Sequence, residues 1–317
     1  MSESESGPYH IPVLVEEVVG NLQPSEGGMY FDGTVGGGGH SEAILEAGPT
    51  ARVIGVDQDP EALEVAQRRL ARFGDRVKLL EANFAEGAEA AARGELTPEP
   101  LAGALLDLGI SSRHIDAVER GFSFRPGTPL DMRMAGAGSS QATAAELVNG
   151  LPEAELADLF WRYGEERRSR RLAAEIVRRR AQRPFATSDD LLAAMASALG
   201  PRQDAQDRAR IFQALRIAVN GELGALERAL PALREGLRPE GVLVVLSYHS
   251  LEDRLVKDAF REWSRRCICP PGLPVCVCRG RPLGTTLTRK PVTASSAEIA
   301  ANSRARSAKL RAWRKAA

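Results

Sequence analysis

The chain has 317 residues, 43% hydrophobic and 26% charged, with 42 basic against 42 acidic side chains. That length supports one large domain or two modest ones around a real apolar core. No apolar run approaches the roughly 18 residues of a membrane span, and the acidic, polar start MSESESGPYH has neither the cationic nor the apolar region of a secretory signal. A soluble, cytoplasmic protein is expected, with residues 1–8 a frayed tail.

The zero net charge hides a gradient. Residues 1–110 hold 7 Lys/Arg against 19 Asp/Glu, whereas residues 254–317 hold 15 against 3. A separate arginine cluster, RYGEERRSRRLAAEIVRRRAQR, spans 162–183. Such asymmetry points to an anionic partner for the later chain, set against the plainer reading of Glu–Arg pairs on solvated helices.

Residues 10–110 alternate strands and helices. VLVEEVVGNL reads as a short helix, MYFDGTV as a strand, HSEAILEAG as a helix stopped by glycine and ARVIGVD as a β-branched strand. DPEALEVAQRRLARFG has Asp59 as N-cap and Pro60 at the first helical position. RVKLLEANF and the almost continuously apolar LAGALLDLG are further strands. Apolar strands separated by helices predict an α/β fold whose mostly parallel sheet is covered on both faces. From about 115 to 205 the pattern becomes an irregular loop, GFSFRPGTPLDMRM, a hinge-like AGAGSSQ and then helices only. The core is expected to resume near 206, with helix, then the strand VLVVLSYHS, then TLTRKPVTAS and SAKLRAWRKA as paired edge strands, the last equally readable as a helix. The expected organisation is thus 9–114 core, 115–205 helical insertion for substrate recognition, and 206–317 core.

The glycine run FDGTVGGGGH, residues 31–40, lies between the first strand and its helix, where a nucleoside-like ligand can approach the backbone. A P-loop needs GxxxxGK[ST], and no lysine follows the glycines here. A GxGxxG dinucleotide fingerprint is met at Gly36 and Gly38 but has Ser41 in the last place. An S-adenosylmethionine pocket wants an acid at the strand end and then spaced glycines, which Asp32, Gly36 and Gly38 supply. Asp57 ends the second strand, where an acid suits two ribose hydroxyls. Asn83 and Phe84 end the third strand as candidates for the adenine edge and face. Asp107 follows a buried strand and should point into the crevice at the strand ends, where an unpartnered carboxylate is costly.

HIPVL, FDGTVGGGGHS, DQDPEAL, LLDLGISS, RGFSF, PLDMRM, RIFQALRIAVNGEL, SYHSLEDRLVK and NSRARSAKLR together resemble the MraW family of ribosomal RNA methyltransferases, from about His10 to the C-terminus. The resemblance implies a Rossmann-like class I methyltransferase core with an inserted all-helical domain. It implies methyl transfer from S-adenosyl-L-methionine to the exocyclic N4 of a cytosine in the decoding region of small-subunit (16S) ribosomal RNA. It implies cofactor contacts at Gly38, Gly39, His40, Asp57, Phe84 and Asp107. The family's further cofactor position, usually glutamine after SSP, is His114 here, with Arg113 in place of the proline. The implied partner is small-subunit rRNA within a 30S particle or late assembly intermediate, with a homodimer of the chain left open and no membrane. From the residues alone, a methyltransferase for another RNA or DNA, or a non-catalytic nucleic-acid-binding protein, stays open.

Cytosine's amine is a poor nucleophile, so hydrogen-bond acceptors should hold it in line with the methyl group. The Asp/Asn-Pro-Pro-aromatic motif of other amine methyltransferases is absent; DLGI stands there, and only Asp107 corresponds. The acceptor set is therefore sought at Asp107, Asn220 and His249, with His249 a candidate proton acceptor. Ser247, Ser250, Arg125, Arg133 and Arg254 are candidates for substrate contact, with Asp131 a candidate partner for either loop arginine. The cysteines Cys267, Cys269, Cys276 and Cys278 have a CxC–x6–CxC spacing that could form a four-thiolate knuckle, but free cytosolic thiols are the preferred reading and no metal is expected.

Overall fold

The computed structural model describes residues 12–110, 117–200, 203–269, 275 and 277–317. The expected cofactor contact His114 and the cysteine Cys276 lie outside them.

The chain divides into two compact units. One runs to Gly109 and resumes over Leu223–Ala317; the other spans Ile110–Glu222. The first unit is built on a seven-stranded sheet. Helix α1 (Val15–Leu22) precedes β1 (Gly28–Asp32), and α2 (Gly39–Ala47), β2 (Ala51–Asp57), α3 (Pro60–Leu70), β3 (Val77–Glu81), α4 (Phe84–Ala92) and β4 (Leu101–Asp107) follow in alternation. After the other unit come α10 (Glu222–Gly236), β5 (Leu237–Ser247), α11 (Ser250–Trp263), β6 (Gly284–Thr286), α12 (Ser296–Ala301) and β7 (Lys309–Lys315). The strand order is β3-β2-β1-β4-β5-β7-β6. The first five strands are parallel, and β7 runs antiparallel to both β5 and β6. SAKLRAWRKA is therefore a strand, and only the start of TLTRKPVTAS joins the sheet, apart from a single bridge from Val292 to Leu310.

Alternation along each strand feeds two cores. Phe31, Ile54, Val56, Leu106 and Val245 pack on one face of the sheet against α4, α10 and α11. Tyr30, Val53, Leu105, Val244 and Leu310 pack on the other. Burial on both faces is why these strands read as unbroken apolar runs.

The second unit holds α5 (Ala144–Gly150), α6 (Glu153–Gly164), α7 (Ser169–Arg180), α8 (Ser188–Leu199) and α9 (Ala205–Asn220). In α7, Leu172, Ala173 and Ile176 recur at helical spacing and are fully buried, while Arg170, Arg171 and Arg178 face solvent. Burying each of the two larger side chains contributes about 1.5–3 kcal/mol. The expected return to the core at 206 is displaced: α9 places Ile211, Phe212, Leu215 and Val219 in the helical unit's own core, so the boundary falls at Glu222.

Candidate functional site

The site is assembled at the carboxyl ends of β1, β2 and β4. Every amide of the β1–α2 turn from Gly33 to Gly36 is engaged. Gly33 N–H donates to Leu105 O, Val35 N–H to Val56 O and Gly36 N–H to Asp57 Oδ2 at 2.8 Å; Thr34 N–H donates to Asp32 Oδ1. Gly36 (φ +51°) and Gly38 (φ +82°) take left-handed conformations that side chains resist. A Cβ at Gly38 would also meet Leu70 at 3.2 Å, and one at Gly39 would meet Pro12 at 2.9 Å. The glycines are thus required first by the turn's own path and by the packing of α2.

Asp57 was expected to face a ribose. Its Oδ2 fixes Gly36 and its Oδ1 accepts from Asp59 N–H at 3.0 Å, so it ties the second strand to the glycine turn. Asp59 caps α3 as the sequence indicates. Asn83 Oδ1 caps the unforeseen helix α4 by accepting from Ala85 N–H at 2.9 Å, and its amide donates to Gln58, so its polar ends serve the fold. Phe84 opens α4 half-buried, with its Cβ beside Gly33.

Asp32 is 1% exposed and accepts a hydrogen bond from Ser41 Oγ at 2.6 Å. Burial pushes its carboxyl up to about 6, partly offset by that bond, by His40 and by the Thr34 amide.

Asp107 sits at the end of β4, its amide donating to Thr34 Oγ1 at 2.7 Å. Two side chains flank its carboxylate. The Tyr248 hydroxyl donates to Oδ1 at 2.7 Å. His40, buried at the start of α2, has Nε2 2.9 Å from the Val13 carbonyl. A carbonyl can only accept, so Nε2 carries the proton there. Nδ1 then faces Asp107 Oδ2 at 3.6 Å, an electrostatic neighbour beyond hydrogen-bond length. Burial, and next the Asp107 charge, raise the Tyr248 hydroxyl far above the ordinary tyrosine range, so it remains a donor. Gly109 (φ +104°) leaves room for the Tyr248 ring, whose Cδ2 would be 3.2 Å from any Cβ there.

Tyr248 was missed in the sequence, where its neighbours drew attention. The missing signal was register: Asp107 pairs with Leu246 in the parallel β4–β5 ladder, which carries residue 248 to the strand end beside Asp107. The neighbours point elsewhere. Ser247 is buried and its hydroxyl reaches Lys309 O on β7 at 3.4 Å. His249 is the N-cap of α11, its Nδ1 accepting from Glu252 N–H at 3.4 Å. That places the ring's lone pair on the helix end, so His249 is a cap here rather than the expected proton acceptor. Ser250 and Arg254 are exposed at the start of α11.

In the helical unit, Asn220 is corrected outright. Its Oδ1 accepts from Met134 N–H, and its amide donates to Met132 O and Arg216 O, all at 2.8 Å. An amide with donors and acceptor so committed clamps the PLDMRM loop and is not placed to receive a substrate amine. Arg133 is likewise corrected from phosphate contact to loop brace. Its guanidinium pairs bidentately with Asp131 at 2.8 Å and donates to Ser139 O at 3.0 Å. Burial alone would raise the Asp131 carboxyl, but the Arg133 bonds hold it below the usual range. The Arg125 side chain is exposed. Within the arginine cluster, Arg162 pairs with Asp158, Arg178 and Arg179 with Glu175, and Arg183 with Asp190. Arg167, Arg170 and Arg171 are exposed and have no acidic partner among the described residues.

A parallel sheet of this strand order, with an antiparallel last pair, a glycine turn after β1 and acids at the ends of β1, β2 and β4, defines a Rossmann-like class I methyltransferase. The MraW methylase family profile matches residues 8–316. The chain belongs to that family of S-adenosylmethionine-dependent methyltransferases. Ribosomal RNA small subunit methyltransferase H of Gemmatimonas aurantiaca is 54% identical over 313 residues, 98% of this chain and 96% of that one. The protein of the same name from Heliobacterium modesticaldum is 51% identical over 311 residues, 97% and 98% of the two chains. A solved rRNA methylase from Streptococcus thermophilus is 10% identical with a TM-score of 0.43, over 96% of this chain and 94% of that one. No helix among the described residues is long and apolar enough to cross a membrane.

Proposed function

We propose that this chain methylates the exocyclic N4 of a cytosine in the decoding region of 16S ribosomal RNA, in the cytoplasm, on a 30S particle or late assembly intermediate. The rRNA assignment is supported by relatives about half identical over nearly their whole length. The observation that carries the chemistry is the Tyr248–Asp107 pair at the end of β4, beside the glycine turn.

S-adenosylmethionine, when bound, supplies a methyl group on a sulfonium whose neutralisation drives transfer. The residues fit it: a glycine turn at a helix start, strand-end acids, and a half-buried aromatic at Phe84. Gly38, Gly39, His40, Asp57 and Phe84 line the cofactor side in this reading. Asp107 then accepts the hydrogens of the N4 amine, which favours the pyramidal nitrogen of the transition state and fixes its approach. The Tyr248 hydroxyl holds that carboxylate. It does not touch substrate, so it is a positioning residue. A paired cytosine hides its amine, so the target is single-stranded or flipped out. Arg125, Arg254 and the unpaired arginines of 167–171 supply phosphate contacts.

The test is transfer of labelled methyl to small subunits and to free rRNA from a strain lacking the enzyme, followed by digestion to nucleosides. Label in N4-methylcytidine at one decoding-region position is expected. Label in another nucleoside, or at cytosines outside that region, overturns the assignment.

A further inference from the structure

The segment after α11 exposes its described apolar side chains. Ile268, Val275 and Val277 are 42%, 69% and 78% exposed, so these apolar side chains, among the described residues, form no core. Yet its two arms are held together. Arg279 reaches back to donate to Glu262 O at 2.6 Å, Glu262 Oε1 at 2.8 Å and Arg281 O at 3.1 Å. Between the arms the sulfur atoms of Cys267, Cys269 and Cys278 all lie within 4.8 Å of one another.

Their geometry is that of ligands. Cys267 and Cys278 sulfurs are 3.9 Å apart, nearly twice a disulfide bond. Tetrahedral zinc with bonds of about 2.3 Å sets sulfurs about 3.8 Å apart. The Ile268 N–H donates to Cys278 Sγ at 3.3 Å, which fixes that sulfur beside the first arm. Arg265, Arg266, Arg279 and Arg281 flank the cysteines in sequence and would offset the negative charge of a thiolate–zinc cluster.

We propose that Cys267, Cys269 and Cys278 bind a structural zinc ion that staples this basic loop. Binding breaks one S–H bond per ligand and releases that proton to solvent; no electron moves.

The test uses the full-length protein, purified under reducing conditions and desalted. Plasma mass spectrometry is expected to find about one zinc per chain, falling at least tenfold in Cys267→Ser/Cys278→Ser. Circular dichroism and cofactor binding check that this variant is folded. Independently of any variant, cobalt titrated into the metal-stripped wild type should give tetrahedral d–d bands and a thiolate charge-transfer intensity of three or four sulfurs. Less than a tenth of an equivalent of zinc after incubation with excess metal (roughly the background of a site-free protein) overturns the proposal. So does a variant that keeps its zinc, a cobalt spectrum of two thiolates or fewer, or stoichiometric copper or iron in place of zinc.

Discussion

Tyr248→Phe removes one oxygen and leaves the ring that packs over Gly109. What is lost is a 2.7 Å bond to Asp107 Oδ1 in a half-buried setting. A hydrogen bond to a charged group contributes about 1.5–3 kcal/mol. If it fixes Asp107 for the transition state, kcat falls about 10- to 150-fold, since each 1.4 kcal/mol is tenfold. The assay is methyl transfer to small subunits with saturating cofactor, alongside calorimetric cofactor binding and thermal unfolding. The expected pattern is a fall in kcat, little change in RNA KM and a folded protein. Because the hydroxyl's proton is held far above the ordinary range, the wild-type pH–rate profile should show no limb belonging to tyrosine below about pH 10. A Tyr248→Phe enzyme within about twofold of wild type, with Asp107→Ala inactive, would refute the positioning role.

Asn220→Ala strands the Met134 N–H and Met132 carbonyl; leaving a buried group unsatisfied costs about 1–3 kcal/mol. Urea unfolding should therefore show a loss of a few kcal/mol, and undiminished stability would contradict the clamp. Arg167→Ala/Arg170→Ala/Arg171→Ala should weaken subunit binding and lower the slope of log affinity against log salt by about two, at about 0.7 per phosphate contact on a single strand. An unchanged slope would remove these arginines from the RNA footprint, and cofactor affinity serves as the control. Asp32 yields a pH test. Its carboxyl is raised to about 6 in the fold from an ordinary value of 3.8. The folded state then binds more protons than the unfolded one between those values. The associated stability is fully present below about pH 4 and is lost as pH rises through 6, by about 3 kcal/mol at 1.4 per unit. Asp32→Asn should therefore gain on wild type between about pH 4 and 7 in denaturant titrations; a constant difference across that range would contradict the raised value.

The sheet was legible because strands buried on both faces leave continuous apolar runs, and the helices around it because caps such as Asp59–Pro60 are local. Helix α4 was not, because FAEGAEAAA carries its buried stripe in Ala85, Gly87, Ala88 and Ala91 rather than in large side chains. Its Gly87 lies against Val56, 3.0 Å from where a Cβ would be, so the smallness is a packing requirement that only the neighbouring strand explains. The true unit boundary was hidden for a related reason: IFQALRIAV is equally apolar whichever core it joins. At the site, the strand-end acids were readable from their position alone. Asn220, His249 and Arg133 read as chemistry because a polar side chain among apolar or glycine-rich neighbours looks poised. For Asn220 and His249 backbone groups that the sequence cannot show take the side chain's polar atoms, and for Arg133 the Asp131 carboxylate and the Ser139 carbonyl do.

The hydrogen bonds of the glycine turn bear on which ligand suits it. In a phosphate-binding turn the backbone amides must be available to the anion, and the helix start must face it. Here the amides of residues 33–36 are closed by Leu105 O, Asp32, Val56 O and Asp57, and the amide of Gly38 donates to Val35 O at 2.7 Å. Two of those acceptors are carboxylates, and a third carboxylate, Asp107, lies beyond Thr34. Arg69, which reaches the turn through Gly37 O, also pairs with Glu42. A pyrophosphate brought to this place would meet committed amides and acidic groups. A cationic sulfonium nucleoside meets attraction, at about 4 kcal/mol for unit charges 4 Å apart under an effective dielectric of 20. The run of glycines that three kinds of nucleotide site could share is thus best read through its acids: with aspartates at the ends of β1, β2 and β4, the turn suits the proposed cationic nucleoside better than a pyrophosphate.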